Sequence, residues 1–270
     1  MLEQVDLTPA LKKSEAKARL AELAPHLRRL QHDLWQAGVP LIAVFEGWDC
    51  AGKGECISLL AELLDPRGFR VHVTFEPTPE EAMRPFLWRF WTKTPAKGQI
   101  ALFDRSWYQR VLTDRVDGTV KRKVWRRAFH EIPEFEHTLT ANGTALLKFW
   151  LHISKREQRR RFETFEADPH ERWRVRPADW RHHRRYGDFL AATEEMILRT
   201  DAATAPWTII PAENLAFGKV LVVESLLEGM ESALRHAKRA KAAAPSQSRP
   251  RPPRAVRRVK RSEPTILDRV

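Results

Sequence analysis

Cysteine is nearly absent from this chain. Its two examples, Cys50 and Cys56, stand close together and far from any partner set. That excludes a disulfide framework and a cysteine-based zinc cluster, and both residues read as small apolar fillers. Long hydrophobic runs are missing too. No apolar stretch approaches the roughly 20 residues of a membrane span. The N-terminus MLEQVDLTPALKKSEAK lacks the apolar core of a signal peptide, so a cytoplasmic protein with no membrane contact is expected. The histidines are scattered. His130 and His137 lie two turns apart on one expected helix and His182 and His183 are adjacent, which favours surface or packing roles over zinc. No Ser-His-Asp or Cys-His pattern emerges, and no internal repeat is present.

Acidic residues are absent from one long segment. Between Arg235 and Ser262 stand eleven Lys or Arg and no Asp or Glu, so nearly all of the formal charge of +12 lies there and the rest is close to neutral. Residues 241–270 carry Pro and Arg without apolar periodicity and read as a disordered basic tail. Such a tail either solubilises the protein or tethers polyphosphate or nucleic acid through counterion release. The length of 270 residues suits one large α/β domain, or one domain with extensions.

What is present begins with Gly47-Trp-Asp-Cys-Ala-Gly-Lys-Gly54. Gly47, Gly52 and Lys53 have the spacing at which backbone N–H groups and a lysine cradle phosphate oxygens. The residue after the lysine, ordinarily a Ser or Thr that ligates Mg²⁺, is Gly54. Asp49, inside the loop, would repel phosphate unless a cation stood between them, so the lost hydroxyl and the gained carboxylate together predict that Asp49 helps hold the metal.

The surrounding pattern supplies the context that the loop needs. Thr8-Pro9 reads as an N-cap and first helical position, followed by Leu20, Leu23, Leu27, Leu30 and Leu34 at helical spacing and an end near Gly38. That stripe predicts a surface facing the core or another subunit. Pro40–Phe45 is a short apolar run ending at the loop, and Lys53–Leu64 reads as a helix. Phe69–Phe75, Ile100–Phe103, Ala145–Ile153 and Trp207–Ile210 are further strands separated by helical stretches. This alternation predicts a five-stranded parallel sheet in a three-layer α/β/α fold, with ligands at the carboxyl ends of the strands. The expected organisation is an N-terminal helical extension (1–38), a phosphate-binding domain (39–240) with a lid near 155–185, and the tail.

Ile100–Asp104 is an apolar strand ending in a carboxylate, which places a second acidic group near Mg²⁺. Arg105 and Arg110 follow it and suit phosphate oxygens. Trp107 and Tyr108 suit packing, with base stacking as the other use. From Lys155 to Arg185 stand eleven Lys or Arg against six Asp or Glu. Ser154-Lys-Arg-Glu157 reads as a capping box opening a helix. Arg159, Arg160 and Arg161 then point about 100° apart, so at most one or two face the site. A basic segment closing over phosphates would exclude water and neutralise charge on the transferred group. An acceptor that is itself a phosphate needs no general base.

Together these segments resemble the polyphosphate kinase 2 family. The resemblance rests on EGWDCAGKGE (46–55), LDPRGFRV (64–71), Pro77-Thr78 with Glu81, LWRFW (87–91), LFDRSWYQRVL (102–112), LKFWLHIS (147–154), EQRRRF (157–162) and TDAATAPW (200–207). It covers roughly 38–215 and is closest in pattern to the AMP-phosphorylating branch. It implies a P-loop kinase fold, a homo-oligomer, and Mg²⁺-dependent transfer (Mn²⁺ as substitute) between inorganic polyphosphate and a nucleoside mono- or diphosphate. Asp49 and Asp104 would organise metal and phosphate, Lys53 would be the loop lysine, Arg105 a phosphate contact and Arg161 the lid arginine. Gly47, Gly52, Gly54, Arg67, Arg110 and Arg160 complete the expected phosphate-binding set. Two other readings are an ATP-dependent small-molecule or nucleotide kinase and a catalytically weak polyanion-binding protein. The chain departs from the family pattern at Glu55-Cys56-Ile57-Ser58, at Glu171-Arg172-Trp173-Arg174 and at Arg185-Tyr186-Gly187-Asp188. The first departure exchanges a positive charge for a negative one, which predicts weaker polyphosphate binding or an altered chain-length preference.

Overall fold

Strands buried on both faces have no polar side to show, and this sequence supplies apolar runs of that kind. In the computed structural model, which describes residues 1–243, five strands form one parallel sheet: β1 (Leu41–Gly47), β2 (Phe69–Val73), β3 (Ile100–Asp104), β4 (Ala145–His152) and β5 (Trp207–Pro211); β1, β3 and β4 are such runs, while β2 and β5, at the edges, are only partly buried. Their order is β2-β3-β1-β4-β5. The loop-bearing strand is therefore central. Phe45 pairs with Asp104 of β3, and Gly47 with Leu151 of β4, so the strand tips gather on one edge.

The helices are α1 (Lys13–Ala37), α2 (Lys53–Leu63), α3 (Pro79–Ala82), α4 (Trp88–Trp91), α5 (Thr113–Val116), α6 (Arg122–Ala141), α7 (Lys155–Ala167), α8 (Pro177–Arg184), α9 (Tyr186–Thr200) and α10 (Leu215–Ala243). Two adjacent residues of β4 reveal the three layers. A Cβ on Gly229 of α10 would stand 2.6 Å from the Leu147 side chain, whereas Lys148 reaches Glu136 of α6 and Thr200 at the end of α9. Successive strand side chains point to opposite faces, so α10 covers one face and α6 and α9 the other. The helices α1 and α2 pack with α10 on the first face.

The leucine stripe of α1 is used within the chain. Leu27, Leu30 and Leu34 are buried, with Leu20 and Leu23 packed against the same core. The start of α1 corrects the sequence reading. Thr8 donates both its N–H (2.9 Å) and its hydroxyl (2.6 Å) to Asp6, a local turn that takes the hydroxyl away from capping. The helix begins instead at Lys13, where Glu15 accepts the Lys12 N–H. Its end at Gly38, in the left-handed conformation, matches the expectation. The last helix runs to Ala243, so residues 241–243 are helical, and the remainder of the expected disordered tail lies outside the described residues. No described helix is long and apolar enough to cross a membrane.

Candidate active site

The loop after β1 is shaped by what its glycines approach. Gly47 has φ +147°, and a Cβ there would lie 2.5 Å from the Leu151 carbonyl oxygen of the neighbouring strand. Gly52, with φ +107°, leaves 2.4 Å to Leu215. Gly47 leaves no room for a side chain, and at Gly52 the positive φ disfavours one. Lys53 opens α2, is buried, and curls back to donate to the Gly47 and Trp48 carbonyls, each at 2.9 Å. Cys50 takes φ +59° in the same loop, a conformation that favours glycine, and Arg105 takes it at the tip of β3. Trp48 walls the loop, stacked on Tyr186 at 4.0 Å and donating from its indole to His152 at 3.0 Å.

Asp49 is where charges converge. Its Oδ1 accepts from Arg105 Nη2 at 2.9 Å, and its Oδ2 lies 3.0 Å from His182 Nδ1. The other ring nitrogen of His182 is 3.0 Å from Asp117. Burial alone would raise the Asp49 pKa, but the His182 hydrogen bond and the charges of Arg105 and Lys53 outweigh it and hold the carboxyl well below the usual range. Burial likewise opposes a charged His182, and the two carboxylates prevail, raising its pKa. Asp49, Asp179 and His182 bring one ligand atom each within 4.8 Å of one another. Asp104 ends β3 beside Phe45 and, with Asp49, favours the charged form of Arg105 against its burial.

Beneath this cluster the carboxyl of Glu46 is fully buried next to Gly47. Burial pushes its pKa up to about 7, relieved only in part by the Ser106 hydroxyl at 2.8 Å and by the charges of Lys53 and Arg105. The following residues, Trp107 and Tyr108, are also buried and donate to Glu136 at 2.9 and 2.5 Å. Packing is therefore their role. Lys148 closes the group, donating to Glu136 Oε2 at 2.9 Å, to the Tyr108 oxygen at 3.2 Å and to the Thr200 carbonyl at 2.7 Å.

The three arginines of α7 diverge as helical geometry requires. Arg159 and Arg160 have side chains 66% and 65% exposed, paired with Glu163 and Glu157, whereas Arg161 is only 10% exposed. Arg161 donates to Glu157 (2.7 Å), to the Cys50 carbonyl in the loop (3.0 Å), and to Ala212 and Glu213 after β5 (2.6 and 3.1 Å). It straps α7 to the loop and to the tip of β5. The capping box is half present. Ser154 accepts the Glu157 N–H, but Glu157 turns to Arg160 and Arg161, and Glu213 accepts the Ser154 N–H.

Two openings lie near the loop. One, a cavity of about 730 Å³, is lined by Arg84, Arg89, Arg105, Arg110, Arg181 and His182, among others. Arg89 and Arg110 both have a buried Nε without a hydrogen bond. For Arg110 the Asp114 carboxylate is 3.4 Å away but poorly aligned. The other, a groove of about 360 Å³, runs past Cys50, Glu55, Arg160 and Arg161.

The structure thus gathers Gly47, Asp49, Gly52, Lys53, Gly54, Asp104 and Arg105 at the strand tips. Arg110 lines the cavity, and Arg160 and Arg161 line the groove. Arg67 does not join them. It precedes β2, at the amino edge of a parallel sheet whose loops of interest are all at the carboxyl edge, and its side chain is 88% exposed and held by Asp65 at 2.6 Å. Sequence reasoning missed Glu46, Asp117, Asp179 and Gln158, whose side-chain amide donates to the Asp49 carbonyl at 3.3 Å, and gave His182 no site role. Glu46 had a visible signal, a carboxylate ending a fully apolar strand. His182 had none, since Asp49 and Asp117 lie 133 and 65 residues away.

Residues 10–238 match the family model described as Polyphosphate kinase 2 (PPK2). The chain is 38% identical over 233 residues to a polyphosphate:AMP phosphotransferase of Pseudomonas syringae pv. tomato, covering 86% of this chain and 47% of that protein. It is 36% identical over 211 residues to ADP-polyphosphate phosphotransferase 3 of Rhizobium meliloti, covering 78% and 74% respectively. Among solved structures, a putative polyphosphate kinase 2 from Pseudomonas aeruginosa PA01 superposes with a TM-score of 0.84 at 38% identity, over 87% of this chain and 50% of that one. Polyphosphate kinase 2 from Arthrobacter aurescens TC1 gives 0.82 at 31% identity, over 86% and 85%. The chain spans about half the length of the polyphosphate:AMP phosphotransferases it matches. With the loop, the parallel sheet and a match over most of its length, the chain belongs to the polyphosphate kinase 2 family.

Proposed function

We propose that this protein transfers a phosphoryl group between inorganic polyphosphate and a nucleoside mono- or diphosphate, AMP or ADP. The observation that carries the reading is a pair of arginine-lined openings, one beside Arg105 and His182, which hold Asp49 of the phosphate-binding loop, and one past Cys50 of the same loop. Two polyanionic substrates need two such approaches to a common point. The cavity beside Arg105 has a volume suited to a nucleotide, and Arg84, Arg89, Arg110 and Arg181 line it with positive charge. The groove past Arg160 suits a chain of phosphates. The names of the relatives support the same substrates.

In the forward direction the terminal P–O–P bridge of polyphosphate breaks, a new P–O–P bridge forms to the terminal phosphate oxygen of the nucleotide, and the donor is shortened by one phosphate. The acceptor oxygen is already anionic near neutral pH, which fits a site with no general base aimed at it. Lys53 and Arg105 would neutralise and align the phosphoryl oxygens, and Arg161 would hold loop and lid in register. The carboxylate oxygens of Asp49 and Asp104, on neighbouring strand tips, are hard donors of the kind Mg²⁺ or Mn²⁺ takes, with Asp179 close to Asp49. A bound metal would supply charge neutralisation on the phosphates. Cytoplasmic location and a homo-oligomer belong to the same proposal.

The test is purified protein with Mg²⁺, AMP or ADP, and polyphosphate as the sole phosphate donor, followed by chromatography of the nucleotides. Appearance of ADP or ATP is the expected result, abolished in Asp49→Ala and Asp104→Ala. No new nucleotide phosphate from either acceptor overturns the reading. Sedimentation of the same sample gives the subunit number.

A further inference from the structure

The groove side of the loop already holds an anion. Glu55 is the third residue of α2, in the first turn of that helix. One of its oxygens lies 3.9 Å from where a Cβ on Gly52 would stand, so the carboxylate folds back over the helix start. Its other oxygen accepts from Arg174 Nη2. Arg174 comes from the connection between α7 and α8, donates also to Glu171 at 2.9 Å, and lies 4.3 Å over the Phe165 ring. The contact joins residues 119 apart and ties that connection to the first turn of α2, with both side chains about three-quarters buried. Glu55 and Phe165 line the same groove as Arg160 and Arg161.

A helix N-terminus with a facing guanidinium is a place where a phosphate would bind. In this chain a carboxylate from the first turn of the helix itself takes the guanidinium and lies close to the helix start. A phosphate entering the groove meets a like charge in partly desolvated surroundings, where repulsion exceeds its value in bulk water. It also finds that Arg174 is already neutralised. Space is not the obstacle, because among the described residues nothing stands within 4 Å of a Cβ built on the neighbouring Gly54.

We propose that Glu55 is a specificity-determining residue of the donor groove: its carboxylate stands in for a donor phosphate on Arg174, and polyphosphate must draw Arg174 away from it to bind. The inference rests on the reading of polyphosphate as donor. It assigns opposite signs to the two partners of one ion pair. Removing the carboxylate tightens donor binding, and removing the guanidinium loosens it.

The experiment is equilibrium binding of polyphosphate of one defined length to the full chain, by calorimetry, for wild type, Glu55→Gln and Arg174→Gln. The basic tail then contributes equally to every sample. Melting curves verify folding, and AMP binding serves as the internal control. Glu55→Gln should bind polyphosphate about fivefold more tightly and Arg174→Gln about fivefold more weakly, the scale of a partly exposed ion pair, with AMP affinity unchanged. Unchanged or weaker binding by Glu55→Gln overturns the inference, as does Arg174→Gln binding as well as wild type. Because the readout is binding, tight association without phosphoryl transfer would sink the proposed activity and still test the role of Glu55. Absence of polyphosphate binding by wild type and Glu55→Gln alike overturns both.

Discussion

Glu46 and Glu136 are both buried carboxylates, and both are met by the segment that follows β3. Ser106 donates to Glu46, while Trp107 and Tyr108, the next two residues, donate to Glu136. The difference lies in how many partners each has. Glu136 accepts two neutral donors and a buried ammonium, Lys148, whose own remaining donors reach Tyr108 and a main-chain carbonyl. Glu46 has one hydroxyl, and its pKa rises to about 7. A carboxylate with a full set of partners is scaffold. One with a single partner, a residue from the loop, is held in a state that solvent pH can change.

Glu136→Ala should break the comparison most severely. It leaves Lys148 buried and uncompensated and frees Trp107 and Tyr108, a loss of about 3–5 kcal/mol in urea unfolding. Glu46→Gln should act in the opposite direction, and only at high pH. Since the folded state raises the Glu46 pKa above its ordinary 4.5, the protonated form is the one the fold favours. Its stabilisation is complete below about 4.5 and is lost as pH rises through about 7. The neutral Gln should therefore be more stable than wild type at pH 8, by on the order of 3 kcal/mol from the shift. The two proteins should converge in thermal melts near pH 4. A wild-type melt flat between pH 5 and 8 would contradict the reading of Glu46.

Arg161→Lys should sharpen the contrast between scaffold and site. An ammonium cannot reproduce the fork that reaches Glu157, Cys50, Ala212 and Glu213, so about 1–3 kcal/mol of stability should go, and kcat should fall further than either substrate affinity. Arg67→Ala should do least. Melting should move by under about 0.5 kcal/mol, and the KM for donor and for acceptor should stay put. A raised polyphosphate KM in Arg67→Ala would mean that the amino edge of the sheet takes part in binding.

Much of this was legible in the sequence, for reasons visible in the result. The three inner strands were readable because each is an apolar run largely buried on both faces, and the loop because Gly47 stands where the backbone of the neighbouring strand comes too close for a Cβ. Asp104 and Arg105 could be read because chain order alone puts them at a strand tip. The start of α1 was misread because Asp6, two residues away, outcompetes the helix for the Thr8 hydroxyl. Arg67 was misread because charge pattern says nothing about which edge of a parallel sheet a residue occupies. His182 and Asp179 belong to the site through contacts that exist only after α8 folds across the loop, and no local spacing encodes those.

Lys53 carries one more consequence. Its ammonium is already tied to two carbonyls of its own loop, so its four-carbon stem is ordered before any phosphate arrives. The side-chain entropy that a free lysine would surrender on binding, on the order of 2 kcal/mol, has been surrendered on folding instead. An incoming phosphate meets a cation whose position is preorganised and whose third N–H remains to be offered.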